Sequence, residues 1–233
     1  MSDVATIYLV VDAPISAWRW MQAGVYRGSF PVIPPSAAWG LVLNLAGIDT
    51  RGDLAEVTTP IRPDAPALEI AVGAIVPGQR SSLYQQLHSY PVGNSGGPLR
   101  DRAKGNKFWI APARREVLLG AVSAIGARGP RSVIDRVAPG LAGQLDVERY
   151  GLPFAGDNQF LFSRIDPSDA SPQARWYEPV SDHASHHAET TRLTTNIDRA
   201  DASKTAAPLF APTPQPGGCP ASAWVRVGPV AAG

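Results

Sequence analysis

Hydrophobic residues in this chain fall into short β-branched runs separated by proline and glycine, with one stretch of helical spacing among them. The run Ala5–Val11 (Ala-Thr-Ile-Tyr-Leu-Val-Val) stops at Asp12-Ala-Pro14 and predicts a buried central strand. A loop carrying Trp18, Trp20 and Tyr26 leads to Pro34-Pro35-Ser36, where proline suits the first turn of a helix and serine can cap free amides. Ala38, Leu41, Val42 and Leu45 then keep i, i+3, i+4, i+7 spacing. That spacing predicts an amphipathic helix with Gly47 as its left-handed stop and Trp39 as a core residue beside the stripe. Leu68–Val76, closed by Pro77-Gly78, predicts a second strand beside the first.

The pattern changes between Gln79 and Arg115. Tyr84–Tyr90 and Lys107–Ile110 read as extended arms around a Gly93-Asn-Ser-Gly-Gly-Pro98 tip, and neither arm has enough aliphatic residues to be core. A long projecting β-hairpin over about 79–115 is therefore expected. Val117–Ile125 returns to the sheet, Arg131–Val137 predicts a short helix ended by Pro139-Gly140, and Gln159–Ile165 predicts a further strand. The order β-α-β, hairpin, β-α-β implies an α+β class with a modified ferredoxin-like sheet of the RRM type over residues 1–165. Asp166-Pro-Ser-Asp-Ala-Ser-Pro172 reads as a linker. Arg175–Val180, Thr190–Asn196 and Ala223–Val227 would then form a small C-terminal β extension over 166–233, with Ala206–Pro220 extended on the surface.

Composition narrows the class. With 233 residues, 44% hydrophobic and 18% charged, the chain can bury a core as one domain or a domain with an appendage. Gly 22 and Pro 23 favour many short elements over a helical bundle. A single cysteine, Cys219, excludes an internal disulfide and a four-cysteine zinc site, and fits a reducing cytoplasm. No apolar stretch reaches the length of a membrane span, and Met1-Ser-Asp-Val lacks the basic start of a signal peptide, so a cytoplasmic protein without membrane contact is expected. The net charge of +1 favours no polyanion, but its distribution does. Arg80, Arg100, Arg102, Lys104, Lys107, Arg114 and Arg115 face only one acid, Asp101, within the hairpin.

Those cations alternate with Tyr84, His88, Tyr90, Phe108 and Trp109. Cations along phosphates and aromatic faces under bases are what single-stranded RNA requires. Tyr26-Arg27, ahead of the predicted helix start, adds a second candidate anion site if the helix amides are free. Asp182-His183-Ala-Ser-His186-His187-Ala-Glu189 resembles a metal tract, but no glutamate lies between the i, i+4 histidines and no second cluster completes a shell, so a solvated loop is expected and no metal or other cofactor. There is no Gly-x-Ser-x-Gly elbow, and Gly93–Gly97 is not followed by the Gly-Lys-Ser/Thr of a phosphate-binding loop.

Five segments in order carry a family resemblance: Phe30-Pro-x-x-Pro-Pro-Ser-x-x-Trp-Gly40, Lys107-Phe-Trp-Ile-x-Pro-x-Arg-Arg-Glu-Val117, Gly151-Leu-Pro-Phe-x-Gly-Asp-Asn158, Arg175-Trp-Tyr177 and Asp198-Arg-Ala-Asp-x-Ser-Lys204. Together they resemble the Cas-five family of CRISPR-associated proteins, most of all its DevS (Myxan) branch, in prokaryotic type I-B-like Cascade complexes. The resemblance implies an RRM body whose hairpin is a thumb crossing the guide RNA. The implied role is non-catalytic: to hold the 5′ handle of the crRNA, cap the Cas-seven backbone and dock a large Cas-eight-type subunit, meeting target DNA through the complex. The residues expected on RNA are Tyr26, Arg27, Tyr84, His88, Arg100, Arg102, Lys104, Lys107, Trp109, Arg114 and Arg115. Two alternatives stay open. One is a metal-independent pre-crRNA endoribonuclease of the type I-C kind, with Tyr26, Lys104 or Lys107, and His88 in the catalytic roles, although that branch's adjacent lysine-histidine pair is missing. The other is an RNA-independent scaffold.

Overall fold

A computed structural model describes residues 3–23, 26–55, 59–91, 108–180, 189–199 and 201–229. It is a sheet-dominated α+β fold with few helices among the described residues. The strands are β1 (Val4–Ser16), β2 (Arg19–Ala23), β3 (Tyr26–Ser29), β4 (Leu68–Val76), β5 (Gln79–Pro91), β6 (Phe108–Pro130), β7 (Arg164–Ser168), β8 (Arg175–Pro179), β9 (Thr191–Arg192), β10 (Leu209–Pro212) and β11 (Val225–Val227). The helices are α1 (Pro35–Leu45), α2 (Arg131–Ile134) and α3 (Val137–Leu141).

The spine is β6, whose 23 residues span roughly 75 Å at the rise of an extended strand. The expected hairpin arm and the apolar return strand are thus one continuous element. Its C-terminal half lies between β1 and β4, both antiparallel to it, and β7 pairs antiparallel with the far edge of β1. The strand order is therefore β7-β1-β6-β4, so β4 is separated from β1 by β6, where the sequence suggested direct pairing. The N-terminal half of β6 leaves this sheet to pair with β5 on one edge and, in parallel, with β3 on the other. On the edge that β4 and β5 share, the change of partners falls around Gly120, whose φ of +65° disfavours a side chain, while on the other edge β1 stays paired as far as Leu118.

Periodicity accounts for α1, and its end is as expected. Gly47 has φ +71°, and the amides of Gly47 and Ile48 close back on the carbonyls of Asn44 and Leu43, the double bond of a Schellman stop. Its start differs. The cap position is Pro34 with no side-chain cap, and the Ser36 amide donates to the Thr194 carbonyl at 3.0 Å. The buried stripe Ala38, Leu41, Val42 and Leu45 packs in one core with Leu9, Val11, Ile70, Val72 and Ile125 of the sheet. Trp39 is in that core, its indole donating to the Pro66 carbonyl at 2.8 Å.

Three local expectations are corrected. Pro139-Gly140 lies inside α3 and does not end α2, because a proline in the first turn forfeits an amide that has no helical partner anyway. Gly140 is the contact point of α3 with α1, since a Cβ there would strike the Leu45 carbonyl. Of residues 159–163 only Leu161 is paired, in an isolated bridge with Phe154, and the strand β7 (Arg164–Ser168) runs into the first part of the expected linker. Its Pro167 is tolerated because β7 pairs on one side only.

The C-terminal residues pair directly with the sheet. Along the outer edge of β4, β8 takes one end (Gly73 opposite Trp176) and β11 the other (Ile70 opposite Val225). Trp176, Ala174, Ala223 and partly buried Trp224 and Cys219 then cover the sheet face opposite α1, over Ala71 and Ala124. Gly126 makes room for this layer, because a Cβ there would lie 2.8 Å from the Trp224 ring. Within 206–220, expected to lie on the surface, β10 buries Phe210 completely.

Candidate nucleic-acid interface

Register builds the site. Arg114 of β6 is opposite Tyr26 of β3 on one side and Tyr84 of β5 on the other, so three strands present one lateral row, Tyr26–Arg114–Tyr84. Residues in such a row have Cβ atoms about 5 Å apart and point to the same face. Tyr84 is 78% exposed and Tyr26 42% exposed. The Arg114 Nε donates to the Ser82 hydroxyl at 3.3 Å, and among the described residues the guanidinium pairs with no carboxylate. A cation flanked by two accessible rings can meet a phosphate and two bases at once.

Glu116, two residues along β6 on the same face, fastens this row to the body. Its carboxylate accepts from the Ser29 amide at 3.0 Å and the Tyr26 hydroxyl at 3.4 Å, and pairs with Arg80. Burial alone would push the Glu116 carboxyl up. The Ser29 amide, the Arg80 guanidinium and the Tyr26 hydroxyl outweigh it and hold the carboxyl below the usual carboxylate range. Arg80 is therefore engaged by Glu116, whereas Arg114 pairs with no carboxylate among the described residues.

One residue along, and so on the opposite face, lies the row Arg27–Arg115–Leu83. Arg115 pairs with Asp157 at 2.5 Å and lies 5.7 Å from the centroid of the Phe160 ring. Gln85 donates to Gln159 at 3.4 Å. The Gly156–Phe160 turn thus braces the hairpin base from behind. The turn is fixed in place by Gly156, at φ +83°, where a Cβ would run into the Ala17 carbonyl, and by the Ala17 amide donating to the Ala155 carbonyl at 3.0 Å. Half-buried Arg27 keeps its Nε closed to solvent and unpartnered.

Of the eleven residues expected on RNA, Tyr26, Tyr84 and Arg114 share the exposed row, while Arg27 and Arg115 lie behind it. For His88 and Trp109 the described part is the backbone. Tyr90 is opposite Trp109, and His88 falls in the register shift between Leu87 and Tyr90. Arg100, Arg102, Lys104 and Lys107, and the histidine tract at 183–187, lie outside the described residues. The anion site expected at the start of α1 is not open, because the Thr194 carbonyl takes the Ser36 amide. Among the described residues no three His, Cys, Asp or Glu side chains are grouped to hold a metal. Missed by sequence reading were Glu116 and Asp157, single acids whose function depends on partners 87 and 42 residues away.

No described helix is long and apolar enough to cross a membrane. No family model matches the sequence, and no curated protein matches it. Solved structures do resemble it. A chain of a CRISPR RNA-guided surveillance complex covers 91% of this chain and 91% of its own length, at 17% identity and a TM-score of 0.55. A Cas protein covers 91% of this chain and 95% of its own, at 13% identity and a TM-score of 0.50. At these identities the likeness is one of fold alone, shared with these two chains.

Proposed function

We propose that this protein is a non-catalytic crRNA-binding subunit of a type I Cascade-like effector, holding the 5′ handle of the guide and capping the Cas-seven backbone. The observation that carries the reading is the exposed Tyr26–Arg114–Tyr84 row on a hairpin braced at its base by Asp157. Its chemistry suits a single strand: exposed rings for stacking on bases and, in Arg114, a guanidinium for a phosphate that pairs with no carboxylate among the described residues. The fold likeness supports the class of complex. The order β7-β1-β6-β4, with α1 after β1 and α2–α3 after β6, supports a modified ferredoxin-like sheet of the RRM type. The five Cas-five-like segments support the DevS branch and, with it, a Cas-eight-type partner and target DNA reached through the complex.

The test is binding of the purified chain to a repeat-derived handle RNA, with a parallel incubation in EDTA to detect cleavage. The expected result is salt-sensitive binding without cleavage. Binding that is indifferent to the Tyr84→Ala/Arg114→Ala double substitution would sink the assignment of the row. Specific metal-independent cutting would replace it with the endoribonuclease reading.

A further inference from the structure

Beside the hairpin row is a long open groove of about 1150 Å³ between α1, the β1–β2 junction, the 150–156 loop and residues 192–199. It exceeds the roughly 300–1,000 Å³ of a typical small-molecule pocket, so it suits a stretch of polymer better than a single metabolite. Three lining aromatic residues are exposed: Trp20 (46%), Phe154 (48%) and Tyr150 (57%), which carries the Arg51 guanidinium on one face and leaves the other for a base. Arg19, Arg192 and Arg199 also line it, all exposed. Among the described residues the single carboxylate in the lining, Asp49, is already held by Arg51 through contacts of 2.8–3.2 Å. The groove is therefore cationic and aromatic together, where most apolar grooves are neither.

It is also continuous with the row. The Trp20 ring lies on Gly28 so closely that a Cβ there would be 2.8 Å from it, and the same point is 3.7 Å from the Glu116 carboxylate that Tyr26 contacts. Exposed rings thus run from Tyr84 through Tyr26 to Trp20, which lines the groove together with Tyr150 and Phe154.

We infer that this groove is a second RNA subsite: a single-stranded ribonucleotide segment leaving the hairpin row enters it, stacking unpaired bases on Trp20, Tyr150 and Phe154 while Arg19, Arg192 and Arg199 meet its phosphates. The inference rests on the proposed RNA-binding role and extends the footprint from the hairpin onto the body. Charge complementarity selects the strand over an apolar helix, which would offer no anion to three guanidinium groups that pair with no carboxylate among the described residues.

The experiment uses the full chain and an octauridylate carrying 4-thiouridine at successive positions, with ultraviolet crosslinks mapped by mass spectrometry and affinity read by anisotropy. Crosslinks to Trp20, Tyr150 or Phe154 are expected, together with a loss of about tenfold in affinity for Tyr150→Ala/Arg199→Ala, as for losing one stacked base and one phosphate contact. Crosslinks confined to β5 and β6, with that variant unchanged, overturn the groove and leave the hairpin reading intact. No octauridylate binding by the unaltered chain fails the hairpin reading itself. A leucine-glutamate peptide that binds the groove and is lost in the variant, while the octauridylate is unaffected, assigns the groove to a protein and overturns the inference.

Discussion

Arg115 and Asp157 meet at 2.5 Å across the junction of the hairpin and the body, with side chains only 12% and 18% exposed. The contact joins the middle of β6 to the Gly-Asp-Asn turn, so that turn is a brace for the hairpin as well as a link into β7. Removing the carboxylate in Asp157→Ala leaves a poorly solvated guanidinium unpaired, at a cost of about 1.5–3 kcal/mol for a lost hydrogen bond to a charged group. At about 2–4 °C per kcal/mol for a domain of this size, that corresponds to a fall in Tm of roughly 3–12 °C. Differential scanning fluorimetry measures it. Faster proteolysis between Gln79 and Arg115 is expected to accompany it.

The exposed row predicts the opposite profile, with binding lost and stability kept. Tyr84 supports nothing in the core, so Tyr84→Ala should leave Tm within about 1–2 °C while weakening single-stranded RNA binding by about 1–3 kcal/mol per lost stack. Arg114→Ala should lower the salt slope of binding by about 0.7. Anisotropy titrations at several salt concentrations check both.

How much of this was legible beforehand follows from the range of each interaction. The helix α1, its Gly47 stop and the strand Leu68–Val76 are written in local spacing, and all three form where expected. Of the expected hairpin, the arms 79–91 and 108–119 pair antiparallel, and the residues between them lie outside the described ones. What local spacing omits is which face of each strand is used. Arg114 and Arg115 look equivalent in sequence, yet alternation puts one between two exposed tyrosines and the other against Asp157. The anion site at α1 failed because its competitor, the Thr194 carbonyl, comes from a segment about 160 residues later. Phe210 reads as tail by composition and as core only once β10 pairs with β8.

The Glu116 carboxyl carries a pH dependence. Its folded pKa lies below the usual carboxylate value, so its contribution is fully present above about pH 5 and is lost as pH falls through the depressed folded value. Wild type should therefore exceed Glu116→Gln in Tm by a constant margin near neutrality, and the margin should shrink below about pH 4. A margin that stays constant down to pH 3 would show that the charge of Glu116 contributes nothing to the Arg80, Tyr26 and Ser29 cluster.

Cys219 should be chemically silent. Burial pushes its thiol up to about 12 despite nearby Arg128, and its amide is engaged by the Ser171 hydroxyl at 2.6 Å. Because the thiolate is the nucleophile, alkylation by iodoacetamide at pH 8 should be about a thousandfold slower than for a free cysteine, and should accelerate on denaturation. Mass spectrometry over a time course reads the rate directly.

Two glycines with similar backbone angles should respond differently to alanine. At Gly120, φ is +65° but no atom lies within 4 Å of the added methyl, so Gly120→Ala should cost only the left-handed backbone penalty of about 1–2 kcal/mol. At Gly156, φ is +83° and the methyl would run into the Ala17 carbonyl, so the turn must move. That displacement would release Asp157 from Arg115, because the turn holds Asp157 in place. Gly156→Ala should then lose the brace as well as the backbone energy, with a Tm below that of both Gly120→Ala and Asp157→Ala. Adding Asp157→Ala to Gly156→Ala should lower Tm little further, since the double mutant removes a contact already broken. Additive losses in that cycle would mean that Gly156 and Asp157 act independently.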